Sequence, residues 1–163
     1  MPAAAVPINI HLRVTLPDDL PTLFEFQCDP AANQLAGTKP RDLPAFNARW
    51  EELLRDPAGA RVTPRVIIAA GALVGSINIF EQEGTDSIGY WIAREHWGRG
   101  IATRAISLMI AEVATRPLFA RVAVTNVASL RALERNGFVE SSRRHCPATE
   151  RSVAREMITL VIG

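Results

Sequence analysis

Gly98, Arg99 and Gly100 stand together where an extended run gives way to a helical one, in "YWIAREHWGRGIATRAISLMIAEV" (90–113). A helix start leaves backbone N–H groups without intrahelical partners, and the helix dipole favours negative charge there. Glycines let the backbone approach an anion without interference from a Cβ. Arg99 adds a fixed positive charge, and Thr103 adds a hydroxyl in the first turn. The set suits a phosphate or pyrophosphate. It also suits a plain strand-to-helix turn in which the glycines supply geometry alone. It is not a Walker A loop, because the lysine and the spacing are missing. Nor is it the GxGxxG dinucleotide fingerprint, because Thr103 stands where a small Gly or Ala belongs and no acidic ribose partner follows at the expected distance.

Such a turn needs a strand before it and a helix behind it. The segment "DSIGYWIA" (86–93) reads as the strand and "RGIATRAISLMIAEVATR" (99–116) as the helix. Upstream, "INIHLRV" (8–14) alternates apolar and polar residues as a half-buried strand does. "TLPDDLPTLFEFQCDP" (15–30) reads as one helix, with Pro17 and acidic Asp18 and Asp19 at its start and Pro30 as its stop. "DLPAFNARWEELLRDP" (42–57) repeats those signs, with Asp42 as cap. Two strands joined by a turn at Ala70-Gly71 fill 63–82. Downstream come a strand at 117–125, a helix at 126–137 capped by Asn126 and ended by Gly137, and strands at 138–145 and 151–162. The order β, α, α, β, β, β, α, β, α, β, β predicts an α/β (α+β) fold: a mixed central sheet of about six to seven strands with helices on both faces. The strands on either side of the long helix should be parallel, joined by a right-handed crossover.

Composition narrows the setting. At 163 residues the chain is expected to form a single domain over 1–163. A formal net charge of +1 gives no bulk attraction to nucleic acid or to an anionic membrane. The opening "MPAAAVPINI" has no basic stretch followed by an apolar run, so no leader is expected, and "VIIAAGALVG" (66–75) is too short to span a bilayer. Cys28 and Cys146 lie far apart and belong to no CxxC or CxxH pair. A reduced, cytoplasmic protein without a metal site is expected.

A second motif, "TNVASLRALERNGF" (125–138), follows the glycine turn. Together the two resemble the GNAT superfamily of acyl-CoA-dependent N-acetyltransferases. The family pattern Q/R-x-x-G-x-G/A falls on Trp97 to Ala102, with Gly100 and Ala102 in the small positions and Trp97 in place of Gln or Arg. That departure is similar to the ribosomal-protein and aminoglycoside branches. The pattern N-x-x-S followed by G-F matches Asn126, Ser129, Gly137 and Phe138. The resemblance extends over the whole chain, including "LRVTLPDDLPTLFEF" (12–26).

The resemblance implies direct acyl transfer from acetyl-CoA to an amine. It implies a splayed parallel strand pair in which the backbone of Tyr90, Trp91 and Ile92 holds the pantetheine arm. The pyrophosphate would rest on the turn and helix start formed by Trp97, Gly98, Arg99, Gly100, Ile101, Ala102 and Thr103. Asn126 matches a position that bonds the pantetheine arm, and it also serves as the helix cap. An ammonium has no lone pair, so the amine must lose a proton; Glu81, Glu83, Asp86, Glu95 and His96 are candidates, with Glu83 the assigned base. Many members use a tyrosine four residues before the second-motif glycine to protonate the departing thiolate; here that residue is Leu133. Ser129, which lies near the sulfur in the ribosomal-protein branch, is the expected replacement; its alternative role is that of a first-turn helix residue. Expected partners are an amine acceptor, either a small molecule or a protein N-terminus, and a second copy of the chain as a homodimer. An aminoglycoside-type acetyltransferase and a catalytically weak CoA-binding sensor are the alternatives. Acceptor choice is expected to lie in 27–50 and the C-terminal strands.

Overall fold

The computed structural model describes residues 8–163. The leader reading therefore rests mostly on residues outside that range. Seven strands form one sheet in the order β1-β2-β3-β4-β5-β7-β6. They are β1 (Ile10–Val14), β2 (Val62–Ala69), β3 (Ala72–Gln82), β4 (Thr85–Ile92), β5 (Leu118–Ala123), β6 (Val139–Cys146) and β7 (Arg155–Ile162). Every neighbouring pair is antiparallel except β4 and β5. The mixed sheet and its parallel pair are as the element order predicts.

β2 shows why its sequence is apolar at every position from Val66 to Ala69. Side chains alternate across a strand, and here both faces are covered. Val66 and Ile68 pack with Leu20, Leu23 and Phe46. Those residues belong to helices α1 (Leu20–Gln27) and α3 (Leu43–Arg55). Ile67 and Ala69 turn to the larger core with Ile101, Ala105, Ile106 and Met109. Those belong to α4 (Ile101–Glu112), the crossover between β4 and β5. Leu133 and Phe138, in and just after α5 (Val127–Arg135), complete that side.

One sequence expectation is corrected. The helix read across 15–30 is interrupted: α1 ends at Gln27, and Pro30 opens a further helix, α2 (Pro30–Ala36), instead of stopping the first. Asp29 is extended, its carboxylate accepts the Ala31 N–H at 3.1 Å, and Pro30 occupies the first helical position, where its missing N–H costs nothing. α2 ends at Gly37, which is left-handed at φ 70. The break places the 37–41 loop against the segment that leads into β7. There Lys39 N–H donates to Arg151 O at 2.8 Å, Val153 N–H donates to Gly37 O at 2.9 Å, and Thr38 bridges Ser152.

Candidate active site

The turn after β4 presents a row of free backbone donors. Gly98 and Gly100 are left-handed at φ 75 and 76, a conformation that is costly for a residue with a Cβ. A Cβ at either position would meet nothing within 4 Å, so the glycines serve the backbone and face open space. The first helical bond runs from Arg104 N–H to Gly100 O at 3.1 Å. The N–H groups of residues 98 to 103 therefore have no backbone acceptor. Arg99 and Arg104 are exposed beside them and pair with no carboxylate among the described residues. Two side chains fix the turn: Trp97 Nε1–H donates to Ile92 O at 2.9 Å, and Asn136 Nδ2–H donates to Thr103 O at 3.0 Å.

Next to this turn the sheet opens. β4 and β5 share one registered pair, Ser87 with Phe119. Beyond it β4 keeps its ladder to β3 as far as Ile92, and β5 keeps its ladder to β7 as far as Ala123. The edge of β4 that faces β5 over Tyr90, Trp91 and Ile92 is left without a strand partner. A slim arm carrying amides and ending in a pyrophosphate matches a bare strand edge that leads into a row of free N–H groups.

Tyr90 brings a second feature. Its hydroxyl is hydrogen-bonded to Ser129 Oγ and lies 3.3 Å from Ser129 O. Burial pushes the phenol up to about 12, against a smaller opposing effect of the Ser129 bond. The phenol therefore stays protonated through the physiological range. The family's usual tyrosine position is unavailable here, because Leu133 is fully buried in the core. Sequence reasoning took Tyr90 for its backbone only; that it is the sole tyrosine of the chain was the available signal. Asn126 stands at the start of α5, but its side chain makes no capping hydrogen bond, so its cap role is not realised.

On the other side of Tyr90 and Trp91 lies a cleft of about 410 Å³. β3 contributes Ser76, Asn78 and Phe80, α3 contributes Phe46 and Trp50, and the loops contribute Lys39, Arg41 and Arg151. Trp91 is anchored against α1, its Nε1–H donating to Phe26 O at 2.8 Å. Asn78 Oδ1 is buried and has no hydrogen-bond partner. No carboxylate and no histidine is among the lining residues. The segment 27–50 thus supplies much of the wall, but the C-terminal contribution is a loop residue, Arg151, and the Arg143-Arg144-His145 run of β6 is absent from it.

The predicted base stands elsewhere. Glu83 lies in the turn between β3 and β4, with the whole of β4 between it and the glycine turn. Its carboxylate accepts a bond from Arg144 at 2.6 Å and lies 3.6 Å from Arg121. The Arg144 guanidinium, chiefly, holds it below its usual range. Nothing in the structure brings Glu83 to the parting or the cleft. Glu81 is likewise engaged, with Arg61 at 2.6 Å.

A family model described as an acetyltransferase (GNAT) domain matches residues 9–139. The chain belongs to the GNAT acetyltransferase family. Solved GNAT structures share its fold. RimL, a ribosomal L7/L12 alpha-N-protein acetyltransferase in its apo form, aligns with a TM-score of 0.78 at 16% identity, over 99% of this chain and 98% of that one. Spermidine N-acetyltransferase from Vibrio cholerae, in complex with CoA and spermine, aligns at 0.76 and 19%, over 94% of both. Mycobacterium smegmatis RimJ, in complex with CoA-disulfide, aligns at 0.74 and 23%, over 94% of this chain and 81% of that one. No curated protein matches the chain. Among the described residues, no helix is long and apolar enough to cross a membrane, and no cluster of ligands for a metal ion occurs.

Proposed function

We propose that this GNAT acetyltransferase moves an acetyl group from acetyl-CoA directly to a primary amine, with the cosubstrate held along the β4–β5 parting and the acceptor in the adjoining cleft. The observation that carries the reading is the continuity of a bare strand edge with six free N–H groups. Acetyl-CoA supplies an activated thioester when bound. The backbone of Tyr90, Trp91 and Ile92 holds its pantetheine arm by strand-like hydrogen bonds. The N–H groups of Gly98, Arg99, Gly100, Ile101, Ala102 and Thr103 hold the pyrophosphate, with Trp97 fixing the turn. Asn126, free of a cap bond, offers its amide to the same arm.

Ser129 presents a proton to the departing sulfur, and Tyr90 stands behind it as the reservoir. A thiolate is a stable leaving group, so a hydroxyl pair suffices where an acid of lower pKa is missing. Deprotonation of the acceptor runs through water. The cations lining the cleft favour the neutral amine over the ammonium by like-charge repulsion. In the cytoplasm the free thiols of Cys28 and Cys146 would persist.

The test is thiol release from acetyl-CoA across a panel of amines and N-terminal peptides, run beside CoA-induced thermal shifts. Amine-dependent release with a rise in melting temperature is expected. A thermal shift without release from any acceptor would reduce the protein to a CoA sensor. The absence of both would remove the cosubstrate assignment.

A further inference from the structure

The cleft carries positive charge that the protein does not balance. Five arginines are partly buried: Arg13, Arg41, Arg65, Arg121 and Arg155. Arg13 meets Asp19 at 2.8 Å, Arg65 meets Glu112 at 2.5 Å, and Arg121 meets Glu83 at 3.6 Å. Arg155 donates to Met157 Sδ at 2.9 Å and to Val153 O at 3.3 Å. The guanidinium of Arg41 has neither a carboxylate nor a hydrogen-bond acceptor among the described residues, although its backbone is tied to Gln27 at both ends. Burial, then Arg151 and Arg49, push its pKa down from the usual value. A guanidinium remains charged even so. Asp42, its neighbour in sequence, is occupied in capping Ala45 N–H at 2.9 Å.

Lys39 and Arg151 share the cleft with Arg41. Their positions are fixed by the paired loops: Lys39 Nζ reaches Thr149 O at 3.1 Å, and Arg151 Nη1 donates to Lys39 O. Three cations without an anion in one recess is unfavourable in the empty protein, and an anion entering it is correspondingly favoured.

Building on the transferase reading above, we infer that the acceptor is a small primary amine bearing a carboxylate or phosphate group, the anion lying against Arg41, Lys39 and Arg151. A cleft of about 410 Å³ is on the scale of a small molecule. Polyamines and other polycations are rejected by the same charges that select the anion.

The experiment uses acceptors that share an aminoethyl group and differ at the far end: β-alanine, O-phosphoethanolamine, ethanolamine and 1,3-diaminopropane. Acetyl transfer is read as thiol release, and kcat/KM is compared within the set. β-Alanine or O-phosphoethanolamine should exceed ethanolamine at least tenfold, and the diamine should be poorest; whichever anion is better identifies its chemistry. Arg41→Gln should collapse the ratio of the anionic acceptors to ethanolamine toward one. Lys39→Gln should lower the same ratio, and it serves if Arg41→Gln does not fold. Binding is read separately through Trp50 and Trp91, which line the cleft. O-phosphoethanolamine should perturb their fluorescence in the parent and not in Arg41→Gln. Transfer with a flat ranking, or with the diamine best, would overturn the inference and leave the transferase reading intact. A Glu-initiated peptide that beats every small acceptor would overturn the small-molecule assignment. No transfer to any amine, with the Arg41-dependent fluorescence change preserved, would sink the transferase reading and keep the anion site.

Discussion

The turn at 98–103 and the cleft beyond Tyr90 both present unpaired donors and positive charge, but they are made from different parts. The turn uses backbone N–H groups of six consecutive residues, and two left-handed glycines set their direction. The cleft uses side chains from separate segments; Lys39 and Arg151, which touch, are 112 residues apart in the chain. A backbone site tolerates change in what surrounds it and fails when its φ angles are disturbed. A side-chain site keeps its shape and changes its preference when one residue is replaced.

The sharpest way to break this contrast is Gly100→Glu. CoA at a hundredfold excess over Kd should stabilise the parent by about 2.7 kcal/mol. The variant should lose nearly all of that shift, because its side chain and charge stand where the phosphates of the proposed cosubstrate would approach. The apo fold should lose about 1–2 kcal/mol from the positive φ, since the added side chain meets no atoms. The fluorescence response of the cleft should survive. Loss of both responses would mean that the two regions are one cooperative unit.

A smaller effect is expected between the two regions. Tyr90→Phe and Ser129→Ala should each lower kcat about tenfold, roughly 1.4 kcal/mol of transition-state stabilisation, with CoA affinity nearly unchanged. The double variant should be little worse than either single one, because the two hydroxyls act as a pair. Additive losses would separate the roles of Tyr90 and Ser129.

The lone tyrosine also has a stability consequence. Its folded pKa, raised to about 12 from 10.0, favours the protonated phenol in the native state. The contribution is fully present below pH 10 and is lost as pH climbs from 10 toward 12. Unfolding free energies from denaturant titration should fall by about 2 kcal/mol more over that window for the parent than for Tyr90→Phe. Identical falls would mean that the phenol is solvated like an ordinary one. The smallest effect is reserved for Asn126→Ala: a few-fold loss of CoA affinity with unchanged apo stability, since there is no cap bond to lose. A destabilised apo protein would restore Asn126 to helix capping.

The same division explains what the sequence disclosed. The glycine turn, the seven strands and the parallel pair were legible because each rests on local pattern: alternation in β1, a glycine pair before α4, apolar runs where β2 is covered on both faces. Ser129 was singled out through its motif, and the fold sets its hydroxyl against that of Tyr90. The phenol beside it was not, because β4 and α5 meet only in the folded chain. Arg41 belongs to no motif, and only the missing carboxylate around it makes it distinctive. Pro30 misled because proline closes one helix as readily as it opens the next, and the Asp29 cap decided between them. Glu83 was proposed from its nearness to the central strands in sequence, whereas strand direction carries it to the far end of β4.

The paired loops that bring Lys39 to Arg151 are joined through main-chain groups, at Lys39, Gly37 and Val153. Main-chain bonds are indifferent to which side chains ride on them. Arg41, whose side chain bonds nothing in these loops, can therefore be exchanged while the wall keeps its course, and the charge of the recess becomes a property that drifts independently of the scaffold. Descendants of this sequence could trade an anionic acceptor for a neutral or cationic one through a handful of loop substitutions, with the chemistry of the parted strands inherited unaltered.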